Sequence, residues 1–215
     1  MNWIWAIGAP LVRLVMSAVF RVRIEGIAHV PRAGGVILAP NHVSVLDGPA
    51  LSAVTGTHRR RATRNLIAAE VFHGVIGWIL RQARQIPIRR GTGDVGALGE
   101  AVVAARNGSC VGIFPEGRVS DDPDAGLQRI RSGLTRIALP SEASVVPVGI
   151  WGAQSVWSRT GIVPGSLFGR HTLALVYGQA ITPVPGETPA GFRERYRDGL
   201  EAVVARARSI AGDAP

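Results

Sequence analysis

Short runs of β-branched and other apolar residues alternate along the chain with longer stretches in which Ala, Leu and Arg recur at helical spacing. That alternation predicts βα units, and hence an α/β fold with a mostly parallel or mixed central sheet flanked by helices. Strands are predicted at residues 36–39, 86–88, 111–114, 145–150 and 173–177. A helix should begin behind Gly48-Pro49, with others over 94–107, stopping before Gly108, over 127–139, and over 189–210. Gly191 and Gly199 weigh against continuity in the last of these.

The first twenty residues behave differently. They hold Trp3, Trp5 and many aliphatics with Arg13 as the single charge, and Arg21 and Arg23 follow directly. A bilayer-spanning helix needs about 20 apolar residues, and Pro10 and Arg13 interrupt this one. A secretory signal would carry its positive charge ahead of the apolar stretch rather than behind it. An interfacial helix, with Trp at one end and Arg at the other, fits a monotopic or peripheral anchor, and an ordinary core helix is the alternative. The chain is accordingly read as an N-terminal membrane-contacting helix, 1–24, and one domain, 25–215. A second apolar stretch, 71–80 with Trp78, would add to the same surface.

With 215 residues and no Pro/Gly/Ser-rich linker, one α/β domain accounts for the length. The 24 basic residues are all Arg, against 15 acidic ones, for a net charge of +9. Such a balance attracts anionic lipid surfaces, phosphate-bearing substrates and acidic acyl carriers. Nucleic acid is the rival partner, but aromatics are only 6% of residues and no nucleic-acid motif is present. The Arg59-Arg60-Arg61 run with Arg64 is either a solvated face or a dock for acyl carrier protein, CoA phosphates or anionic lipid. Cys110, the single cysteine, permits no intrachain disulfide and sits in an apolar run, where a buried inert thiol is expected.

The chemistry concentrates in two segments. In Pro40-Asn41-His42-Val43-Ser44-Val45-Leu46-Asp47-Gly48, a neutral imidazole at His42 could take a proton from an attacking hydroxyl. A carboxylate at Asp47 would fix its tautomer and stabilise the imidazolium, so no serine or cysteine nucleophile is required. Five helical steps of about 100° put two residues about 140° apart, so the chain must turn between His42 and Asp47. Further on, Ile113-Phe114-Pro115-Glu116-Gly117-Arg118 ends a strand-like run and opens a polar loop.

Together these segments resemble the glycerophospholipid acyltransferase family, whose first motif is Asn-His-(four residues)-Asp and whose third is Phe-Pro-Glu-Gly followed closely by Arg. Ile86-Pro87-Ile88-Arg89-Arg90-Gly91 resembles the second motif and Val145-Val146-Pro147-Val148-Gly149 the fourth. Arg118 follows Gly117 without the usual intervening residue, a form closest to 2-acylglycerophosphoethanolamine acyltransferases. The resemblance implies His42 as general base and Asp47 as its orienter. It implies an acyl-acceptor site at Glu116 and Gly117, and phosphate contacts from Arg90 and Arg118, whose guanidinium forks suit phosphate oxygens. Pro147 would border the acyl or acceptor site, or be a strand proline at a bend. Asn41 would either order the turn or help hold an oxyanion.

The implied activity is transfer of a fatty acyl group from acyl-CoA or acyl carrier protein to a lysophospholipid, foremost 1-acylglycerol-3-phosphate, giving phosphatidate. No cofactor or metal is expected, and the place of action would be the cytoplasmic face of the membrane. Alternatives are another acceptor, such as lysophosphatidylethanolamine or a glycolipid, a metal-dependent hydrolase using His42, Asp47 and Glu116, and a non-catalytic basic lipid-binding protein.

Overall fold

Strand β2 (Val36–Pro40) is buried at every position, the mark of a central strand covered on both faces. In a computed structural model, which describes residues 3–164, 166 and 171–212, it lies in the middle of a seven-stranded sheet. The other strands are β1 (Phe20–Glu25), β3 (Thr63–Ala68), β4 (Ile86–Ile88), β5 (Cys110–Gly112), β6 (Ser144–Trp151) and β9 (His171–Tyr177). Their order is β1-β9-β6-β2-β5-β3-β4. Strands β6, β2, β5, β3 and β4 run parallel, while β9 is antiparallel to β6 and parallel to β1. A two-stranded hairpin, β7 (Trp157–Ser158) and β8 (Gly161–Ile162), follows β6. The mixed sheet and its helical layers agree with the expected fold class.

Helices α4 (Val95–Arg106), α5 (Gly133–Ser141) and α6 (Pro189–Gly212) cover one face, packing with Ile37, Val111, Val145 and Ala174. Helices α1 (Trp3–Val19) and α2 (Asp47–Arg59) lie on the other, with Leu38, Val146, Val148 and Leu175. Alternate residues of each strand thus feed two separate apolar cores. Helix α6 is continuous despite its two glycines. Gly199 lies against Pro147 and Ile181, and a Cβ at Gly149 would fall 2.2 Å from the Val203 carbonyl, so glycine lets the helix approach β6 closely.

Three expectations need correction. The apolar spacing of Leu127, Ile130, Leu134 and Ile137 reads as one helix, but α5 begins only at Gly133. The segment before it is held elsewhere: the Arg131 N–H donates to the Pro115 carbonyl at 2.9 Å, and Gln128 bonds to Glu116. Strand β5 stops at Gly112, although Ile113 N–H still donates to Leu38 O. In addition, the N-terminal helix ends at Val19, and Phe20–Glu25 pair with β9, so the segment read as 1–24 includes a sheet strand.

Helix α1 buries Trp5, Ala9 and Met16 and leaves Trp3, Ile7, Leu11, Leu14 and Val15 exposed. Its Trp5 Nε1 donates to the Ala83 carbonyl, just beyond α3 (Gly74–Gln82). Helix α3 in turn exposes Val75, Ile76, Trp78 and Ile79. No described helix is long and apolar enough to cross a membrane.

Gly149→Ala is expected to destabilise the protein by about 1–3 kcal/mol, because the added methyl meets backbone that can yield only by moving α6. Urea denaturation would check it, and an unchanged midpoint would contradict the close approach.

Candidate active site

His42 stands two residues beyond β2, at the C-terminal edge of the parallel strands, where the crevices of open α/β sheets form. Asn41 sets its position. The Asn41 side chain donates to the Ile150 carbonyl at 3.0 Å and accepts the Ile150 N–H at 2.7 Å, which ties the end of β2 to β6. With both ends of its amide engaged and the residue buried, Asn41 orders the turn.

The chain turns through residues 43–46, and Asp47 is the first residue of α2. His42 Nδ1–H donates to Asp47 Oδ2 at 3.0 Å, and the same oxygen accepts the N–H groups of Val43 and Ser44 at 2.7 Å each. That network assigns the ring proton to Nδ1 and leaves the lone pair on Nε2, which has no hydrogen-bond partner among the described residues. The imidazole lies over the Phe114 ring with centroids 4.1 Å apart. Asp47 is fully buried, and burial pushes its carboxyl above the ordinary range against the opposing pull of His42, Ser44 and Val43.

Glu116 is also buried and uses both oxygens: Oε1 accepts His42 N–H at 3.3 Å, and Oε2 accepts Gln128 Nε2–H at 2.6 Å. Burial raises its carboxyl too, opposed by the Gln128 and His42 bonds. Gln128 passes the order outward, since its Oε1 accepts from Arg118 Nε at 3.0 Å. Gly117 adopts φ 76°, a backbone conformation that favours glycine, and a Cβ there would lie 2.9 Å from the Arg131 side chain, which would have to shift. Ser120 N–H donates to the His42 carbonyl at 2.8 Å, joining this loop to the imidazole's own backbone.

A family model described as Acyltransferase matches residues 21–151, which include His42, Asp47 and the whole loop around Glu116. The chain belongs to the acyltransferase family. It is 33% identical over 203 residues to an uncharacterized protein of Mycobacterium leprae, covering 87% of this chain and 51% of that protein. An uncharacterized protein of Mycobacterium tuberculosis is 31% identical over 164 residues, 71% of this chain and 43% of that one. The chain therefore spans about half the length of these curated relatives. Its fold is also that of the crystal structure of the 1-acyl-sn-glycerophosphate (LPA) acyltransferase PlsC from Thermotoga maritima. The TM-score is 0.78 at 21% identity, over 96% of this chain and 80% of that one.

In this member of the acyltransferase family the motif residues do not all converge. His42, Asp47, Glu116 and Arg118 are linked by the bonds above, and Gly117 lies in the same loop between the last two. Pro147 is not among them, for its ring packs against Gly178 and Gly199 on the α6 side. Arg90 is exposed just past β4, at the edge of the sheet three strands from β2. Of the arginine run, Arg61 turns inward and donates to the carbonyls of Pro31, Gly34 and Gly108, so it is a structural clamp, while Arg64 pairs with Glu100. Cys110 is buried, and burial pushes its thiol up to about 11. Among the described residues no group of three or more His, Cys, Asp or Glu is placed to hold a metal ion. Gln128 and Arg131 went unnoticed in the sequence, where nothing in their spacing connects them with Glu116.

Both buried carboxyls keep their protons to higher pH in the folded chain than in the unfolded one. The stability this lends is complete below the ordinary carboxyl range, about pH 4, and is lost as pH rises through the raised folded values. Asp47→Asn removes one of the two titrations. Its urea midpoint, followed upward from about pH 4, is expected to fall less steeply than the wild type's, and equal slopes would contradict the assignment.

Proposed function

We propose that the protein transfers a fatty acyl group from an acyl thioester, carried by CoA or acyl carrier protein, to the free hydroxyl of a lysophospholipid. The acceptor we favour is 1-acylglycerol-3-phosphate, with phosphatidate as product. The observation that carries the reading is the His42 Nδ1 to Asp47 Oδ2 bond, which frees Nε2 as a base at the rim of the sheet. Nε2 takes the proton of the acceptor hydroxyl as its oxygen attacks the thioester carbonyl carbon. The tetrahedral intermediate then collapses, the carbon–sulfur bond breaks, and the thiolate leaves with the proton held by the imidazolium. Asp47 stabilises the imidazolium between these steps. Glu116, through Gln128, holds Arg118 at the rim, where a guanidinium would meet the acceptor's phosphate.

We propose further that the exposed apolar residues of α1 and α3 rest on the cytoplasmic face of a bilayer, in which both the acyl chain and the lysophospholipid reside. Trp3, Ile7, Leu14, Val75 and Ile76 are each more than half exposed, from 61% to 75%, a surface that membrane contact would cover.

The decisive assay is transfer of labelled acyl groups from acyl-CoA and acyl carrier protein across a panel of lysophospholipids. Transfer to lysophosphatidate is expected, and His42→Ala should lower it by about 10²–10⁴-fold. Labelling of another acceptor alone would keep the chemistry and overturn the acceptor, and an equally inert wild type and variant would favour a lipid-binding role. For the membrane, replacing Trp3, Ile7 and Leu11 together with Ser is expected to weaken sedimentation with anionic vesicles by about tenfold or more, judged from the apolar area removed. Undiminished binding would place the contact elsewhere.

A further inference from the structure

Beside His42, two arginines from different loops share one carboxylate. Arg118 Nη2 lies 3.5 Å from Asp121 Oδ2, and Arg159, at the tip of the β7–β8 hairpin, donates to Asp121 Oδ1. All three side chains are about half exposed, at 52%, 55% and 44% for Arg118, Asp121 and Arg159. Exposed ion pairs contribute little to stability, so the fold does not depend on this one. Its position is nonetheless fixed. Ser120 N–H donates to the His42 carbonyl, which holds the loop of Arg118 and Asp121, and Ser44 Oγ–H donates to the Trp157 carbonyl at 2.5 Å, which holds the hairpin of Arg159. Both anchors lie on the catalytic turn itself.

The neighbouring acidic residues are otherwise engaged: Asp122 accepts the N–H groups of Asp124 and Ala125, and Asp124 pairs with Arg208. Asp121 alone among the three has its partners on the two rim arginines. Two guanidiniums preset around a single oxyanion, with a weakly held internal one between them, form a receptor for a stronger anion. We propose that Arg118 and Arg159 are a phosphate clamp for the acceptor's head group and that Asp121 is the internal anion that this phosphate replaces. The clamp rests on the acyl-transfer reading above and narrows it to acceptors bearing a phosphate monoester, whose two charges displace a carboxylate more readily than a diester's one. It gives Arg159, which no motif marks, a specificity-determining role, while Arg90 stays remote at the sheet edge.

The test is calorimetric binding of glycerol 3-phosphate, with glycerol as control, to wild type, Arg159→Gln and Asp121→Asn at low and moderate salt. Arg159→Gln is expected to weaken binding by about tenfold or more, and Asp121→Asn to tighten it several-fold. Opposite signs from two residues of one ion pair separate a binding role from loosened structure, which would weaken both. The clamp is overturned if wild type does not bind glycerol 3-phosphate, if Arg159→Gln binds equally well, or if Asp121→Asn binds less. In turnover, the kcat/KM preference for lysophosphatidate over monoacylglycerol should fall in Arg159→Gln and rise in Asp121→Asn. Should binding follow the expected order while no acceptor is acylated, the acyl-transfer reading fails and the clamp stands. Should acylation occur with the same preference in all three proteins, the clamp fails and the acyl-transfer reading stands.

Discussion

The site depends on one buried oxygen. Asp47 Oδ2 accepts from the His42 ring and from two backbone N–H groups of the turn between them, so a single carboxylate shapes the loop, sets the tautomer and starts α2. Burying a carboxyl is costly, and the raised Asp47 titration records that cost. Three donors at one oxygen, and a position in the first turn of a helix whose dipole favours negative charge, offset it. Neither function could be moved to another residue without losing the other. A side chain that merely capped the helix would leave the imidazole free to rotate, and one that merely met the imidazole would leave the turn without its acceptor.

Around this point the structure is built of ties between segments that are far apart in sequence. Asn41 fastens the turn of His42 to β6, Glu116 and Gln128 fasten it to the loop of Arg118, and Ser44 fastens it to the hairpin after β6. The effect is a tied-down rim on the C-terminal edge of the sheet, with Nε2 of His42 left without a hydrogen-bond partner among the described residues. Rigidity of this kind would suit the proposed reaction, in which the protein supplies no covalent intermediate and has only to place two reactants and one proton. The apolar faces of α1 and α3 lie on elements joined through Trp5 and Ala83, on the side of the sheet that also carries α2.

The sequence disclosed what is contiguous. His42, Asp47, Glu116, Gly117 and Arg118 fall within two short stretches, and the need for a turn between His42 and Asp47 follows from helix geometry alone. Strand β2, the helix capped by Asp94 and the long α6 were legible because their apolar periods match their burial. Residues 127–132 were not legible as loop, since Leu127 and Ile130 continue the period of α5 while hydrogen bonds to Pro115 and Glu116 hold their neighbours out of it. Pro147 shares a motif yet turns to α6, as the two faces of a strand require. Gln128, Arg131 and Arg159 reach the site only through tertiary packing, which no linear spacing encodes. Arg61 was hidden for the opposite reason: a basic run reads as solvated surface, and only the fold shows three carbonyls converging on its guanidinium.

The central claim is that His42 and Asp47 act as one unit in acyl transfer, and a double-mutant cycle in kcat tests it most directly. If the pair works as described, Asp47→Asn added to His42→Ala costs almost nothing beyond the loss that His42→Ala already causes, because an orienter has no role without its base. Losses that simply multiply would show the two residues contributing independently and would contradict the account.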